Sequence, residues 1–247
     1  MSHHIVSMQD VHFAYADGHR ALSGVTFTIH HGESVGLVGA NGSGKSTFLL
    51  HLAGVLLPQQ GTVRVGDCPV TRDTLVDVRR HVGLVFQDPD DQLFMPTVGE
   101  DEAFGPRNQH LPEQEDERRV AAALERVNAA ELADRPPHRL SGGERRAAAL
   151  ATVLVLEPDI LLLDEPSAGL DPASRRRLIG YLGSFEHTRI VASHDLDLVL
   201  DVCRRTLVLR EGRIIADGPT EKLLADQGLL ESAGLELPLR LQRYNGA

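Results

Sequence analysis

The 247-residue chain has no tryptophan, two cysteines, and only two lysines among its 25 basic residues. Cys68 and Cys203 lie far apart, with no Cys or His at metal-ligand spacing. That excludes a disulfide framework or a zinc site of its own and fits a reducing compartment. The 12 histidines are scattered, and the pairs His3-His4 and His30-His31 lack further ligands at useful spacing. No run approaches the ~20 apolar residues of a membrane helix. The nearest, 147–156, stops at Glu157-Pro158 after ten residues. Met1-Ser-His-His lacks the apolar core of a signal peptide. The expectation is a cytosolic protein, or one attached to a membrane only through something else. A net charge of −10 gives no general electrostatic footprint for nucleic acid.

What is present is an alternating pattern. A chain of this length buries about 70–75% of its unfolded surface and needs no staple. Short apolar runs alternate with helix-like segments, the mark of an α/β domain. Strands are expected at 5–15, 25–29, 34–38, 62–65, 82–86, 160–163, 189–192, 206–209 and 213–217. The run 160–163 is wholly apolar, as a strand covered on both faces should be. From 97 to 156 no good strand is found, only helical stretches such as 113–128 and 142–156. A helical insert in a strand-rich domain is the simplest reading. The tail from Gln227 is leucine-rich and ends in Asn245-Gly246-Ala247.

One of the two lysines sits in a glycine-rich loop. Gly39-Ala40-Asn41-Gly42-Ser43-Gly44-Lys45-Ser46 fits the phosphate-binding pattern G-x-x-x-x-G-K-[ST]. It follows the strand at 34–38 and precedes a helix expected at 46–53, with Gly54 as its stop. A plain glycine-rich turn would need neither flank. Its N–H groups and the helix N-terminus would hold phosphate. Lys45 would reach the β- and γ-phosphates and Ser46 would ligate Mg²⁺. Ile160-Leu-Leu-Leu-Asp164-Glu165-Pro166 supplies the complementary acids. Asp164 would reach the Mg²⁺ shell at the strand's carboxyl edge, and Glu165 would orient or deprotonate the attacking water.

Leu140-Ser141-Gly142-Gly143-Glu144 narrows the choice. Ser141 and Glu144 form a capping box ahead of an apolar helix, which by itself implies only a well-capped helix. The two glycines at a helix N-terminus also make a second anion site, one that would have to act on another subunit.

With these motifs and Ser193-His194-Asp195 in this order, residues 5–226 resemble an ATP-binding cassette (ABC) ATPase. The resemblance implies an α/β P-loop NTPase with a RecA-like core, an antiparallel β subdomain and an inserted α-helical subdomain. As one ABC ATPase domain, 1–247 would divide into a nucleotide-binding core at 1–90 and 157–226, a helical subdomain at 91–156, and a tail at 227–247. It implies a head-to-tail dimer, here a homodimer, with two ATP molecules at the interface. Each ATP would be held by Tyr15, stacked on adenine, by Gly39 to Lys45, Ser46 and Thr47, and by Ser141, Gly142 and Gly143 of the other subunit. Ser46, Gln87 and Asp164 would hold Mg²⁺, with Glu165 and His194 catalytic. Ser167-Ala-Gly-Leu-Asp171 matches the loop that couples the two sites; Asp171-Pro172 also reads as a helix cap. In the family the signature more commonly ends in glutamine. Glu144 either weakens ATP in the sandwich or caps its own helix, and the sequence leaves both open.

The stretch 88–106 carries six acids and no Lys, Arg or His. Such a run is usually a solvated loop; an acidic groove would suit a cationic partner. The wording Phe86-Gln-Asp-Pro-Asp90-Asp91-Gln-Leu-Phe94, followed by Ala103-Phe-Gly-Pro106, resembles importer ATPases of the energy-coupling factor type. That resemblance implies a transmembrane scaffold protein, a small substrate-capture membrane protein and a place on the cytoplasmic face of the membrane, with no nucleic acid partner. The Asp-Asp version resembles cobalt and nickel import ATPases; vitamin importers and other ABC transporters are the alternatives. A soluble ABC ATPase acting on DNA or the ribosome usually carries long coiled-coil insertions or two cassettes, and a nucleotide kinase leaves the signature unexplained.

Overall fold

The computed structural model describes residues 6–242. Ile5, the His3-His4 pair and the tail residues 243–247 lie outside the described residues. The chain runs through β1 (Val6–Ala14), β2 (Arg20–Ile29), β3 (Ser34–Val38), α1 (Lys45–Leu52), β4 (Gln60–Val65), β5 (Cys68–Pro69), α2 (Leu75–His81) and β6 (Val82–Val85). It continues through α3 (Val98–Asn108), α4 (Glu113–Arg126), α5 (Gly142–Leu154), β7 (Ile160–Asp164), α6 (Pro172–Ser184) and β8 (Thr188–Ala192). Last come α7 (Leu196–Val202), β9 (Arg205–Arg210), β10 (Arg213–Pro219), α8 (Thr220–Leu224) and α9 (Gln227–Ser232).

Each strand expected from the sequence is present within the described residues, and no strand lies between 97 and 156. The first helix ends where expected, with Gly54 at φ 62 just beyond it.

Six strands form one sheet in the order β10-β9-β3-β8-β7-β6, parallel except for β10 on β9. Strands β2-β1-β4-β5 form a separate antiparallel sheet. The facing surfaces of the two sheets share one core, with Phe48, Leu49 and Leu52 of α1 packed into it. Phe48 stacks on Phe27, ring centroids 4.7 Å apart. The helix after the lysine loop is thereby wedged between sheets, which fixes the loop at its head.

Every residue of β7 is buried, and Ile160 to Leu163 have no exposed surface. Burying each such side chain contributes about 1.5–3 kcal/mol. The acid at the end of this strand is therefore delivered to one place.

On the other face of the large sheet, Leu161 and Leu163 share a second core with Leu150, Val153 and Leu154 of α5. The helical insert is thus continuous with the sheet's core. Thr97 and Ser141 start α3 and α5 with complete capping boxes, paired with Glu100 and Glu144.

Candidate active site

The lysine loop joins β3 to α1 at the carboxyl edge of the parallel sheet. Gly44 takes φ 107, and a Cβ there would collide with the Ala21 carbonyl oxygen. Gly42, at φ 78, has open space where a Cβ would sit, so glycine is favoured there by its backbone conformation rather than by crowding. Lys45 is buried and its ammonium donates to the carbonyls of Gly39 (2.8 Å) and Ala40 (3.3 Å). Burial lowers its pKa, while Glu165 and Asp164 push the other way.

A cavity of about 370 Å³ opens beside the loop. It brings together Asn41, Gly42, Gly44, Lys45, Ser46, Thr47, Gln87, Asp164, Glu165 and His194, ten residues singled out from sequence. Gly39, Ala40 and Ser43 complete the loop behind them. His19 and Ala21, from the β1–β2 hairpin, also line the cavity. The Asp17-Gly18 turn was a legible signal for the hairpin, but nothing local placed His19 against a loop more than twenty residues later.

Asp164 sits at the end of β7, with Oδ1 buried and without a hydrogen-bond partner. Burial raises its pKa most; the Ser46 hydroxyl bonded to its carboxylate lowers it. An orphaned carboxylate oxygen beside a serine hydroxyl is an oxygen donor set of the kind Mg²⁺ takes. Among the described residues no cluster of three His, Cys, Asp or Glu side chains is arranged to hold a metal. The site therefore fits an ion that arrives sharing its ligands with phosphates.

Glu165 is the next residue, in a left-handed conformation at φ 46 that non-glycine residues seldom adopt. Its carboxylate accepts from the Ser193 hydroxyl (2.9 Å) and from the His194 N–H (3.1 and 3.2 Å). The Nδ1 of His194 lies 2.9 Å from Glu165 Oε2, while the imidazole is 61% exposed at the cavity. Glu165 is thus aimed by the end of β8.

Four expected residues lie elsewhere. Tyr15 does not line the cavity, but its hydroxyl is 2.9 Å from that of Thr47, tying the hairpin to the loop. Ser141, Gly142 and Gly143 begin α5 away from the lysine loop. Gly143 lines a separate cavity of about 230 Å³ between α5 and α6, with Leu170, Leu178 and Tyr181.

Glu144, left open by the sequence, accepts from the Ser141 N–H at 2.7 Å and from Arg135 at 2.8 Å. It caps its own helix. Asp171 caps α6 as expected, accepting from Ala173 and Ser174 N–H at 2.8 and 3.0 Å.

The acidic stretch does not match the plain reading of a solvated run. Asp88, Asp90 and Asp91 are exposed, and Arg145 of α5 bonds both oxygens of Asp90 (3.0 and 3.1 Å). Glu100 caps α3, Asp101 accepts from Phe94 and Met95 N–H, and Glu102 is fully buried.

The family model described as ABC transporter matches residues 22–168. The chain belongs to the ABC transporter family. This ABC protein is 61% identical, over 98% of its length, to a putative ABC transporter ATP-binding protein of Geobacter sulfurreducens, covering 97% of that protein. It is 42% identical to the energy-coupling factor transporter ATP-binding protein EcfA of Methanocaldococcus jannaschii, over 95% of this chain and 86% of that one. CbiO1 of Clostridium perfringens, part of the ABC transporter complex CbiONQ, matches with a TM-score of 0.81 at 37% identity, over 93% of this chain and 94% of that one. A dimeric ATP-binding cassette in a post-hydrolysis state, bound to ADP and Pi, matches with a TM-score of 0.80 at 26% identity, over 87% and 98%.

The fold is that of an ABC ATPase, and the chain is an ATP-hydrolysing subunit of an ABC transporter, using ATP with Mg²⁺. Among the described residues no helix is long and apolar enough to cross a membrane.

Proposed function

We propose that the chain powers an importer of the energy-coupling factor type, as a head-to-tail homodimer on the cytoplasmic face of the membrane, with cobalt or nickel as the solute. The observation that carries the dimer is the separation of Ser141, Gly142 and Gly143 from the cavity holding Lys45. A second copy would bring its signature to that cavity, and each ATP would be shared.

In that sandwich Lys45 exchanges its two backbone carbonyls for phosphate oxygens, and Tyr15 packs against the base. Ser46, Asp164 and Gln87 hold Mg²⁺, which neutralises phosphate charge when bound. Glu165 orients the attacking water and takes its proton. His194, in contact with Glu165 and exposed to the cavity, bridges toward the terminal phosphate.

The importer type is supported by similarity to EcfA and to CbiO1. It is supported also by the surface after Gln87. Phe94 and Phe104 are 62% and 44% exposed, with ring centroids 5.0 Å apart in an edge-to-face pair. With Asp88, Asp90 and Asp91 nearby in sequence, they suit a membrane partner's helix that is apolar and carries arginine. The cobalt or nickel reading rests on the Asp90-Asp91 wording alone.

The test is to purify the tagged protein from detergent-solubilised membranes of its host and identify what accompanies it. A scaffold membrane protein with a small metal-capture protein supports the proposal. A vitamin-capture protein changes the solute, a conventional permease pair changes the importer type, and soluble partners alone overturn the transport reading.

A further inference from the structure

Arg146, five residues after Ser141 on α5, is buried and reaches three separate segments. Its Nη2 donates to the carbonyls of Gln87 (3.0 Å) and Ala168 (3.1 Å), and its Nη1 reaches the carbonyl of Glu165 at 3.4 Å. We infer that Arg146 is a positioning residue for hydrolysis, holding the backbones of Gln87, Glu165 and the 167–171 loop in one arrangement governed by the seating of the signature helix.

All three hydrogen-bond acceptors are neutral carbonyls. Among the described residues no carboxylate lies within ion-pair distance of this guanidinium. A buried charge compensated so indirectly is costly, and an apolar side chain would fill the space between α5 and α6 more favourably. Burial accordingly lowers the Arg146 pKa, with Asp88 and Glu165 offsetting it from a distance. Packing alone thus gives no reason for arginine. A planar fork with five donors can hold three carbonyls from different directions, and an ammonium group cannot do so from one point.

The carbonyl of Glu165 is the one that most needs support. Its residue is held in the left-handed region, its N–H donates to Ala192 (2.8 Å), and its carbonyl already accepts from the Ala168 N–H (3.1 Å). Strained backbone of this kind persists when its surroundings over-determine it. Without Arg146 the turn that carries Glu165 has one fewer backbone restraint, and the aim of its carboxylate rests on the bonds from Ser193 and His194 alone. Arg145 next door faces out to Asp90, so the two arginines do different work. The inference needs only the ATPase chemistry and is independent of the solute and the membrane partner.

The test uses full-length protein with Arg146→Met and Arg146→Lys, measuring equilibrium binding of a fluorescent ATP analogue together with kcat and KM. With Arg146→Met, nucleotide affinity and KM should stay within about threefold of wild type, while kcat falls about 10–100-fold. Arg146→Lys should remain at least about threefold below wild type in kcat. A purely structural role would lower affinity and folded fraction along with kcat, and that joint loss overturns the inference. Wild-type kcat from either variant also overturns it. If the Met variant does not fold, the Lys variant decides on the same split.

Discussion

The Lys45 ammonium lies 3.8 Å from Glu165 Oε1, and both side chains are 7% exposed. One comes from the loop after β3 and the other from the end of β7, so the two halves of the nucleotide site meet as buried opposite charges. Glu165→Gln removes the base and keeps the shape. Turnover should fall by about 10²–10⁴-fold while MgATP is retained. Light scattering with MgATP should then show an accumulated dimer. A monomer with unchanged hydrolysis would remove Glu165 from its role.

Glu144 touches Ser141 and Arg135, so its charge serves α5. Glu144→Gln should leave ATP turnover within about twofold, since exposed charges act weakly at a distance. Glu144→Ala should lower the melting temperature by about 2–4 °C through the lost cap. The Ser141 N–H, chiefly, holds the Glu144 pKa below its ordinary 4.5. Its stabilisation is therefore present above that value and fades as pH falls through the lowered one. A tenfold rise in ATP turnover for Glu144→Gln would show that the charge opposes nucleotide after all.

Much of this site was legible because its parts are local. The lysine loop is eight consecutive residues, β7 is a continuous apolar run, and the Ser141–Glu144 capping box spans four positions. What was not legible depends on distant partners. Strand β2 begins at Arg20 rather than at 25, because pairing with β1 across several register shifts recruits residues without clear alternation. The two-residue β5 exists only against β4. Asp101 and Glu102 look like Asp88 in composition, yet burial separates them completely. Arg146 is one of 23 arginines, and only three carbonyls that are 19, 22 and 59 residues away distinguish it. The leucine-rich tail also has a place: Arg240 bonds Asp197 and Asp201 of α7, both at 2.7 Å.

Asp91 is a cleaner probe of membrane docking than Asp90. Arg145 already occupies Asp90, whereas Asp91 is exposed with no ion-pair partner among the described residues. Asp91→Lys should reduce solute uptake in proteoliposomes holding the complete transporter, while nucleotide binding by the isolated subunit stays unchanged. Asp90→Lys with Asp91→Lys should abolish uptake. One exposed pair contributes only ~0–1 kcal/mol, so the double reversal is the decisive arm. Normal transport by it would sink the docking surface.

Glu102 has no exposed surface, and neither carboxylate oxygen has a hydrogen-bond partner. Burial, with Asp101 beside it, raises its pKa well above the ordinary 4.5. The folded state therefore favours the protonated acid. Its tolerance of this group is complete below about pH 4.5 and erodes as pH rises through the raised value. Glu102→Gln keeps the size and cannot ionise. It should melt above wild type at pH 8 by about 2–4 °C or more, and the gap should close toward pH 5. Nucleotide-free protein scanned from pH 5 to pH 8.5 gives the comparison. A difference that is constant with pH would mean that Glu102 is ionised in the folded protein across the whole range, as it is in the unfolded chain. The buried acid would then contribute nothing to the pH dependence of stability.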